Sequence, residues 1–451
     1  MTDHAGESGE SAPSPGHGLR RTARERALIE DAERIFPTGT RCLTFDQSLN
    51  FCAERAAGSR LWDASGNAYI DYLLGSGPHI LGHAHPAIVE ALAAIPQNGT
   101  SFLLANEQAV RLGKKIIEHV PCAEMVSLHN SGSEATFFAL RLARVYRRRD
   151  KVLKFEGAYH GMHDYALMSN QWTMGSPPFP QAVPNSHGIP RVLTGEVLVA
   201  PFNDLESTAA IIATHHDELA AVIMEPIQRT FPPKAGFLEG VREVTQNYDI
   251  PLIFDEVVTG FRTGLGGAQA EFGITPDLCA LGKAISGGMP LGVVCGRADI
   301  MAIGNPRRRI QMLPYSMQTG TFSSNPVAAG VACAVIGELE KPGPYERINA
   351  VGVALIEGLR DAIEKSGVEA TVTGTPAVFE IWFTPDPPYD HRSAKGSDFY
   401  KNIRFSDLLL EQNVLKAAEK FFVSAAHTDA DVGETIAAFH VALTQLAKEI
   451  P

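Results

Sequence analysis

The sequence predicts an α/β protein: a large domain on a mostly parallel sheet flanked by helices, followed by a smaller α+β domain. Three observations carry this. From His85-Pro86 onward, short apolar extended runs alternate with helical patterns, as in parallel sheets covered on both faces. Beyond about Val327 the pattern changes to a long helix, short strands and a final amphipathic helix. The chain has 451 residues, 45% apolar and 20% charged, which suffices for two ordinary globular domains.

Taken in order, residues 1–18 are rich in Ser, Gly, Pro and His, a composition too polar to build a core, so a disordered tail is expected. A charged helix is predicted from about Arg20 to Ile35, stopped by Pro37-Thr-Gly39. Strand-like pieces at Arg60–Asp63 and Ala68–Tyr72 flank Ala64-Ser-Gly-Asn67, a hairpin signal. The extended candidates that follow are Met125–His129, Val152–Glu156, Val197–Pro201, Ala220–Glu225, Leu252–Val257 and Gly292–Gly296, with helices at Glu134–Arg148 and Gly240–Tyr248. Gly157 to Gly195 holds five prolines and little periodicity, which suits a functional lid better than an ordinary loop. A last helix is predicted from about Asp429 to Ile450. The expected division is a tail (1–18), an N-terminal segment (19–84), a large domain (85–326) and a C-terminal small domain (327–451).

Composition excludes several function classes. A net charge of −12 argues against nucleic acid or anionic membrane as the main partner. No apolar run reaches the length of a bilayer span, and the first residues lack the basic start and apolar core of a secretory signal, so a cytoplasmic location is expected. The cysteines at 42, 52, 122, 279, 295 and 333 show no CxxC spacing and read as small core residues. His83-Ala-His85 is followed by Pro86 with no third ligand nearby, so no metal is expected.

Chemistry concentrates in a few stretches. The apolar run Pro251-Leu-Ile-Phe-Asp255-Glu-Val257 carries an acid, and alternation puts Asp255 and Val257 on one face. A buried acid needs a cation, and Lys283 lies 28 residues on, before Gly287-Gly288. Two readings fit this stretch alone. One is a structural salt bridge; the other is a pyridoxal phosphate (PLP) site, with Lys283 as the Schiff-base amine and Asp255 facing the pyridinium nitrogen. Asn130-Ser131-Gly132-Ser133-Glu134-Ala135 lies between a strand and a helix. It fits an ordinary capped helix or an anion site on a helix N-terminus. Gly264-Leu-Gly-Gly resembles a dinucleotide fingerprint but lacks the strand–helix context and is discounted. Tyr159 ends a strand, where it packs in the core or offers a flat face to a ring. Thr319-Gly320-Thr321 is a hydroxyl-rich turn before a helix, either a plain loop or a second phosphate contact.

Together these stretches resemble the class III, fold-type I PLP-dependent aminotransferases, from about Phe36 to the C-terminus. The match includes the Asn-Ser-Gly-Ser-Glu-Ala cup, Tyr159-His160-Gly161, Glu225-Pro226, Asp255-Glu-Val-Val-Thr-Gly-Phe-Arg262, Gly282-Lys283 and Gly320-Thr321. Trp62-Asp-Ala-Ser-Gly-Asn67, Tyr69-Ile-Asp-Tyr72, Gly82-His-Ala-His-Pro86 and Ala426-His-Thr428 are similar to the glutamate-1-semialdehyde 2,1-aminomutase subgroup. The resemblance implies a fold-type I large domain with a small domain drawn from both termini. It implies that Lys283 forms the internal aldimine and moves the proton, that Asp255 holds the pyridine nitrogen protonated, and that Val257 and Tyr159 sandwich the ring. Gly132 and Ser133 would hold the phosphate with Ser131 nearby, and His160, Glu225 and Gln228 would complete the cofactor shell. Gly320 and Thr321 would reach the partner's cofactor, which implies a homodimer.

The departures concern substrate. The aminomutase's carboxylate-gripping motif is shortened and rearranged into Phe36-Pro-Thr-Gly-Thr-Arg41-Cys-Leu-Thr-Phe45, its tryptophan before Gly-Pro is Ser76 here, and Glu419 matches a glutamate with different neighbours. Arg307-Arg308-Arg309 has no counterpart. Arg41 is a candidate carboxylate clamp or a solvated side chain. The expected function is an aminotransferase moving an amino group between an amino acid or amine and a keto acid. The alternatives are an aminomutase, an ammonia-lyase or racemase on the same scaffold, and a catalytically silent binding protein.

Overall fold

A computed structural model describes residues 19–40, 47–171, 175–417 and 419–449. The tail at 1–18 and the second half of the rearranged stretch, residues 41–45 with Arg41 among them, lie outside the described residues.

The chain begins with α1 (Ala23–Ile35), whose N-cap Thr22 accepts from the Glu25 amide. A small sheet follows: β1 (Ala53–Ala57), β2 (Arg60–Asp63) and β3 (Ala68–Asp71), with the β2–β3 hairpin where the sequence predicts it. Next come α2 (Pro86–Ala94), α3 (Glu107–His119), β4 (Met125–His129), α4 (Gly132–Arg147), β5 (Lys151–Phe155), β6 (Val197–Ala200), α5 (Leu205–His215), β7 (Leu219–Met224), α6 (Phe237–Asn247), β8 (Leu252–Glu256), α7 (Gly267–Phe272), β9 (Leu278–Leu281), β10 (Gly292–Gly296), α8 (Ala298–Met301) and α9 (Arg307–Ile310). The C-terminal part holds α10 (Pro326–Leu339), α11 (Pro344–Ser366), β11 (Thr371–Thr375), β12 (Val378–Trp382), α12 (Phe399–Glu411), β13 (Val414–Leu415), β14 (Phe421–Phe422) and α13 (Asp429–Glu449).

Seven strands form the main sheet in the order β4-β10-β9-β8-β7-β5-β6. All neighbours are parallel except β10, which runs antiparallel to both β4 and β9. The sequence leaves β9 as part of the connection between Val257 and Lys283. Alternation along β8 decides the layers. Ile253 packs under α4 with Ala139 and Leu142, while Leu252 and Phe254 face α6 on the other side. Asp255 and Val257 therefore lie on the α4 face. Burying the Phe and Leu side chains of α4 stabilises this layer by about 1.5–3 kcal/mol each.

The two ends of the chain meet: β13 adds to β3 in parallel, Val414 opposite Ile70. A separate sheet, β11-β12-β14, stands near the C-terminal helices. Helix α10 packs on α2 and α3 in the core that also holds Ile88 and Leu112. A division at residue 327 would cut through this packing, so we propose that the smaller unit's second part begins at α11. Cys122, Cys279 and Cys295, distant in sequence, are gathered as buried free thiols, with Cys279 directly opposite Cys295 across β9 and β10. No described helix is long and apolar enough to cross a membrane.

Candidate active site

The C-terminal ends of β5, β7, β8 and β9 and the start of α4 converge on one cleft of about 300 Å³. Ligand sites in open parallel sheets form in such a crevice, beyond the carboxyl ends of the strands. Its walls include Gly132, Ser133, Tyr159, His160, Glu225, Asp255, Val257 and Lys283, eight residues singled out from the sequence, together with Ser76.

The α4 end of the cleft is built for an anion. Ser131 caps α4 by accepting from the Glu134 amide at 3.1 Å. The Glu134 carboxylate reaches the Asn130 amide at 2.7 Å, one residue earlier than the capping-box spacing predicts. The amides of Gly132 and Ser133, at the cleft wall, are left for an anion such as a phosphate. Gly132 lets Val257 pack closely: a Cβ there would stand 3.0 Å from the Val257 methyls. Gly161 is obligatory twice over, with φ at 102° and Ser133 Oγ 2.5 Å from where a Cβ would be.

The floor is a buried acid–imidazole pair. Asp255 Oδ2 is 2.8 Å from His160 Nδ1, and Oδ1 accepts from the Val257 amide at 3.1 Å. No ion pair joins Asp255 to Lys283, so the salt-bridge reading of that stretch falls. Lys283 begins a short turn at the end of β9 with φ at 39°, an uncommon conformation for a side-chain-bearing residue. Burial, with Lys420, Arg262 and Arg229 nearby, pulls its pKa down to about 8 against the opposing effect of Asp255.

Glu225 accepts from the Tyr159 and Arg229 amides at 2.7 and 3.0 Å, which fixes the turn after β7 to the turn after β5. Burial pushes its carboxyl up, but Lys420, Arg229 and His160 together hold it below the ordinary range. Lys154 pins the irregular segment 157–169 from below. Its buried ammonium donates to the carbonyls of Ala158, Ala166 and Met168, and burial lowers its pKa to about 7.

Other expected site residues lie elsewhere. Gln228 is fully buried behind the cleft lining, donating to the Glu156 carbonyl at 2.7 Å, with its Oε1 unpartnered. Gly320 and exposed Thr321 stand outside the cleft of their own subunit. Glu419 pairs with Arg229 on the edge of a second cavity of about 410 Å³, lined by Phe231, Trp382 and Phe399 among others. Arg307–Arg309 form an exposed helical turn away from both cavities.

Sequence reasoning missed Arg229, Lys420 and Ser286, which also line the cleft. For Lys420 a signal existed: it abuts the apolar run Phe421-Phe422-Val423, as Asp255 sits in its own strand. Buried Arg262 was noticed only as part of a motif. It donates to the Val258 and Gly77 carbonyls and so holds the 75–78 turn against the cleft.

Comparison with known proteins gives a consistent result. The family model for aminotransferase class-III matches residues 44–438. The chain is 42% identical over 401 residues to glutamate-1-semialdehyde 2,1-aminomutase 2 of Brevibacillus brevis, covering 88% of this chain and 91% of that one. Among solved structures, an omega-transaminase from Sphaerobacter thermophilus superposes with a TM-score of 0.87 at 32% identity, covering 94% of this chain and 98% of the other. A transaminase with PLP bound gives 0.86 at 28% identity, covering 96% and 99%.

Proposed function

The chain belongs to the class-III aminotransferase family, and from that premise we propose that it moves an amino group from an amino acid or amine to a separate keto acid. The cofactor is pyridoxal 5′-phosphate. The cleft fits it: a helix N-terminus for a phosphate, a cradle that a Cβ at Gly132 would fill, and a buried carboxylate and amine. Bound there, the cofactor supplies an electron sink for the carbanion left when a substrate C–H bond breaks.

The observation that carries the reading is Lys283, a buried amine with its pKa lowered to about 8, sharing one cleft with the Asp255–His160 pair. In this proposal Lys283 holds the cofactor and carries the proton to and from the substrate carbon. Asp255, oriented by His160 and the Val257 amide, would face the ring nitrogen of the bound cofactor. Gly132 and Ser133 would bind the phosphate with Ser131 capping the helix behind them, and Val257 and Tyr159 would cover the ring faces. Glu225 shapes the turn carrying Tyr159. Gln228 stands behind the lining, held by the Glu156 carbonyl.

A homodimer is part of the proposal. The segments 100–106 and 321–325 are tied together by Asn325 to the Thr100 carbonyl at 2.9 Å and Asn106 to the Ser324 carbonyl at 2.8 Å. They carry Phe102, Leu103, Leu104 and Phe322, all exposed, and a patch of such residues marks an interaction surface. Gly320 and Thr321 sit beside it, so a second copy docking there would bring them toward its own cleft.

One observation favours a second reading, an aminomutase that returns the amino group to the same carbon skeleton: the 42% identity to the Brevibacillus enzyme. A single turnover without acceptor separates the two. Holoenzyme mixed with excess amino donor is expected to release one keto product per subunit. Isomerised amine without keto product would favour the mutase.

A further inference from the structure

Three thiols that the cleft does not use lie together on the opposite face of the main sheet. Cys279 on β9 and Cys295 on β10 are paired across the two strands, and Cys122, in the turn between α3 and β4, closes the group. Their sulfurs all lie within 4.8 Å of one another, and all three residues are buried. Alternation fixes the face. Ala280 and Val294 pack on the α4 side, so Cys279 and Cys295 point the other way, into the core of Ile116, Val120 and Leu281. None of the three thiols lines the cleft.

Two features go beyond the packing of small side chains. First, a polar chain reaches the group through the apolar core. Gln269 Oε1 accepts from the Cys122 amide at 2.9 Å, and Gln269 Nε2 donates to Glu256 Oε1 at 2.8 Å. Outer hydrogen bonds of this kind hold metal-binding side chains in place. Second, the buried Glu256 carboxyl is near enough to Cys279 and Cys295 to act on both electrostatically, and an acid beside sulfur favours a cation there. Glu256 is not itself a spare ligand, because its oxygens accept from Thr259, the Ala268 amide and Gln269.

The donor set selects the ion. Metal–thiolate bonds are about 2.3 Å long, so three sulfurs in a plane around one ion stand about 4 Å apart. The observed group needs to close by at most about 0.8 Å to reach that spacing. Hard cations such as Mg²⁺ and Ca²⁺ require oxygen ligands, and a structural zinc ion requires a fourth donor. Among the described residues no fourth ligating side chain joins the three. Soft thiolates suit Cu(I), which is content with three sulfurs. We propose that Cys122, Cys279 and Cys295 form a three-sulfur site for a soft monovalent metal ion, Cu(I). Binding is an exchange without electron transfer: Cu–S bonds form, S–H bonds break, and one proton lost to solvent per Cu(I) keeps the core neutral. Entry is through the Cys122 turn, which exposed Pro121 and Glu124 flank. The site stands apart from the amino-transfer chemistry and does not depend on which reaction the cleft performs.

The test gives reduced, PLP-loaded protein Cu(I) as its acetonitrile complex, without oxygen and against a chromogenic Cu(I) chelator. One ion per chain should be retained, with an X-ray absorption shell of three sulfurs at about 2.3 Å. The thermal midpoint should rise as Cu(I) is added, because the ion binds the folded chain's preassembled site. Cys295→Ala, a small substitution in the core, should weaken binding at least about 100-fold, since loss of even an outer-shell partner costs about 10- to 100-fold. Folded wild-type protein that takes up no Cu(I), or holds it with fewer than three sulfurs, overturns the proposal without recourse to any variant. So does a Cys295→Ala protein that keeps the wild-type affinity, which would place the ion on other cysteines.

Discussion

The two sides of the cleft are built in different ways. The cofactor side comes from consecutive strand ends of one sheet, where Asp255, Glu225 and Ser131 each already hold a hydrogen-bond donor. The opposite side is assembled from distant pieces: the 75–78 turn held by Arg262, Arg229 after β7, and Glu419-Lys420 before β14. One side is satisfied and preorganised within the sheet; the other brings Arg229 and Lys420 to the cleft from separate parts of the chain. A preorganised wall suits chemistry that does not vary, and a composite wall lets the substrate change while the chemistry stays.

If the sheet side carries the chemistry, changes there should be the most damaging. Lys283→Ala should lower kcat by about 10⁴-fold or more, the upper scale for a positioned proton-transfer group, and should abolish the protein-bound visible absorption band. Asp255→Ala should cost at least about 100-fold in kcat, the scale of a lost charge contact in a water-excluded site, with little change in the unfolding midpoint. A large loss of stability with only a small loss of kcat would make Asp255 a structural acid.

The lowered pKa of Lys283 gives a prediction with a definite sign. Only the neutral amine attacks a carbonyl, so apoprotein should take up PLP faster as pH rises, with a midpoint near 8. A midpoint close to 10.5, that of an ordinary lysine, would show that burial and the nearby cations do not act on it. Smaller again, Gly161→Ala should destabilise the fold by about 1–3 kcal/mol in denaturant, because φ is positive there and Ser133 fills the space. The smallest effect should come from Glu419→Gln. Its partner Arg229 is mostly buried but Glu419 is half exposed, so the pair is worth about 0–1 kcal/mol, and stability should hardly move.

The same contrast governs how much of the molecule was legible in the sequence. The sheet side was legible because each functional residue stands at a fixed offset from an apolar run: Asp255 within one, Tyr159 just after another, Ser131 and Gly132 between a strand and a helix. Local pattern places such residues without knowledge of the fold. Strand β9 is read as part of a connection, although Lys283 at its end is singled out through its glycines. Lys420 and Arg229 escaped because what matters about them is proximity across 191 positions, created only when β14 joins β12. The direction of Gln228 is not legible for a related reason: a turn residue's orientation depends on the Glu156 carbonyl it finds, which no spacing encodes.

The central claim is that nitrogen leaves one carbon skeleton and arrives on another. Holoenzyme given a ¹⁵N-labelled amino acid and an unlabelled keto acid of different length answers it by mass spectrometry of the products. The account predicts the label on the acceptor's skeleton, with one equivalent of the donor's keto acid formed for each labelled product. Label that stays on the donor's own skeleton, at a new carbon and with no keto acid released, would contradict it.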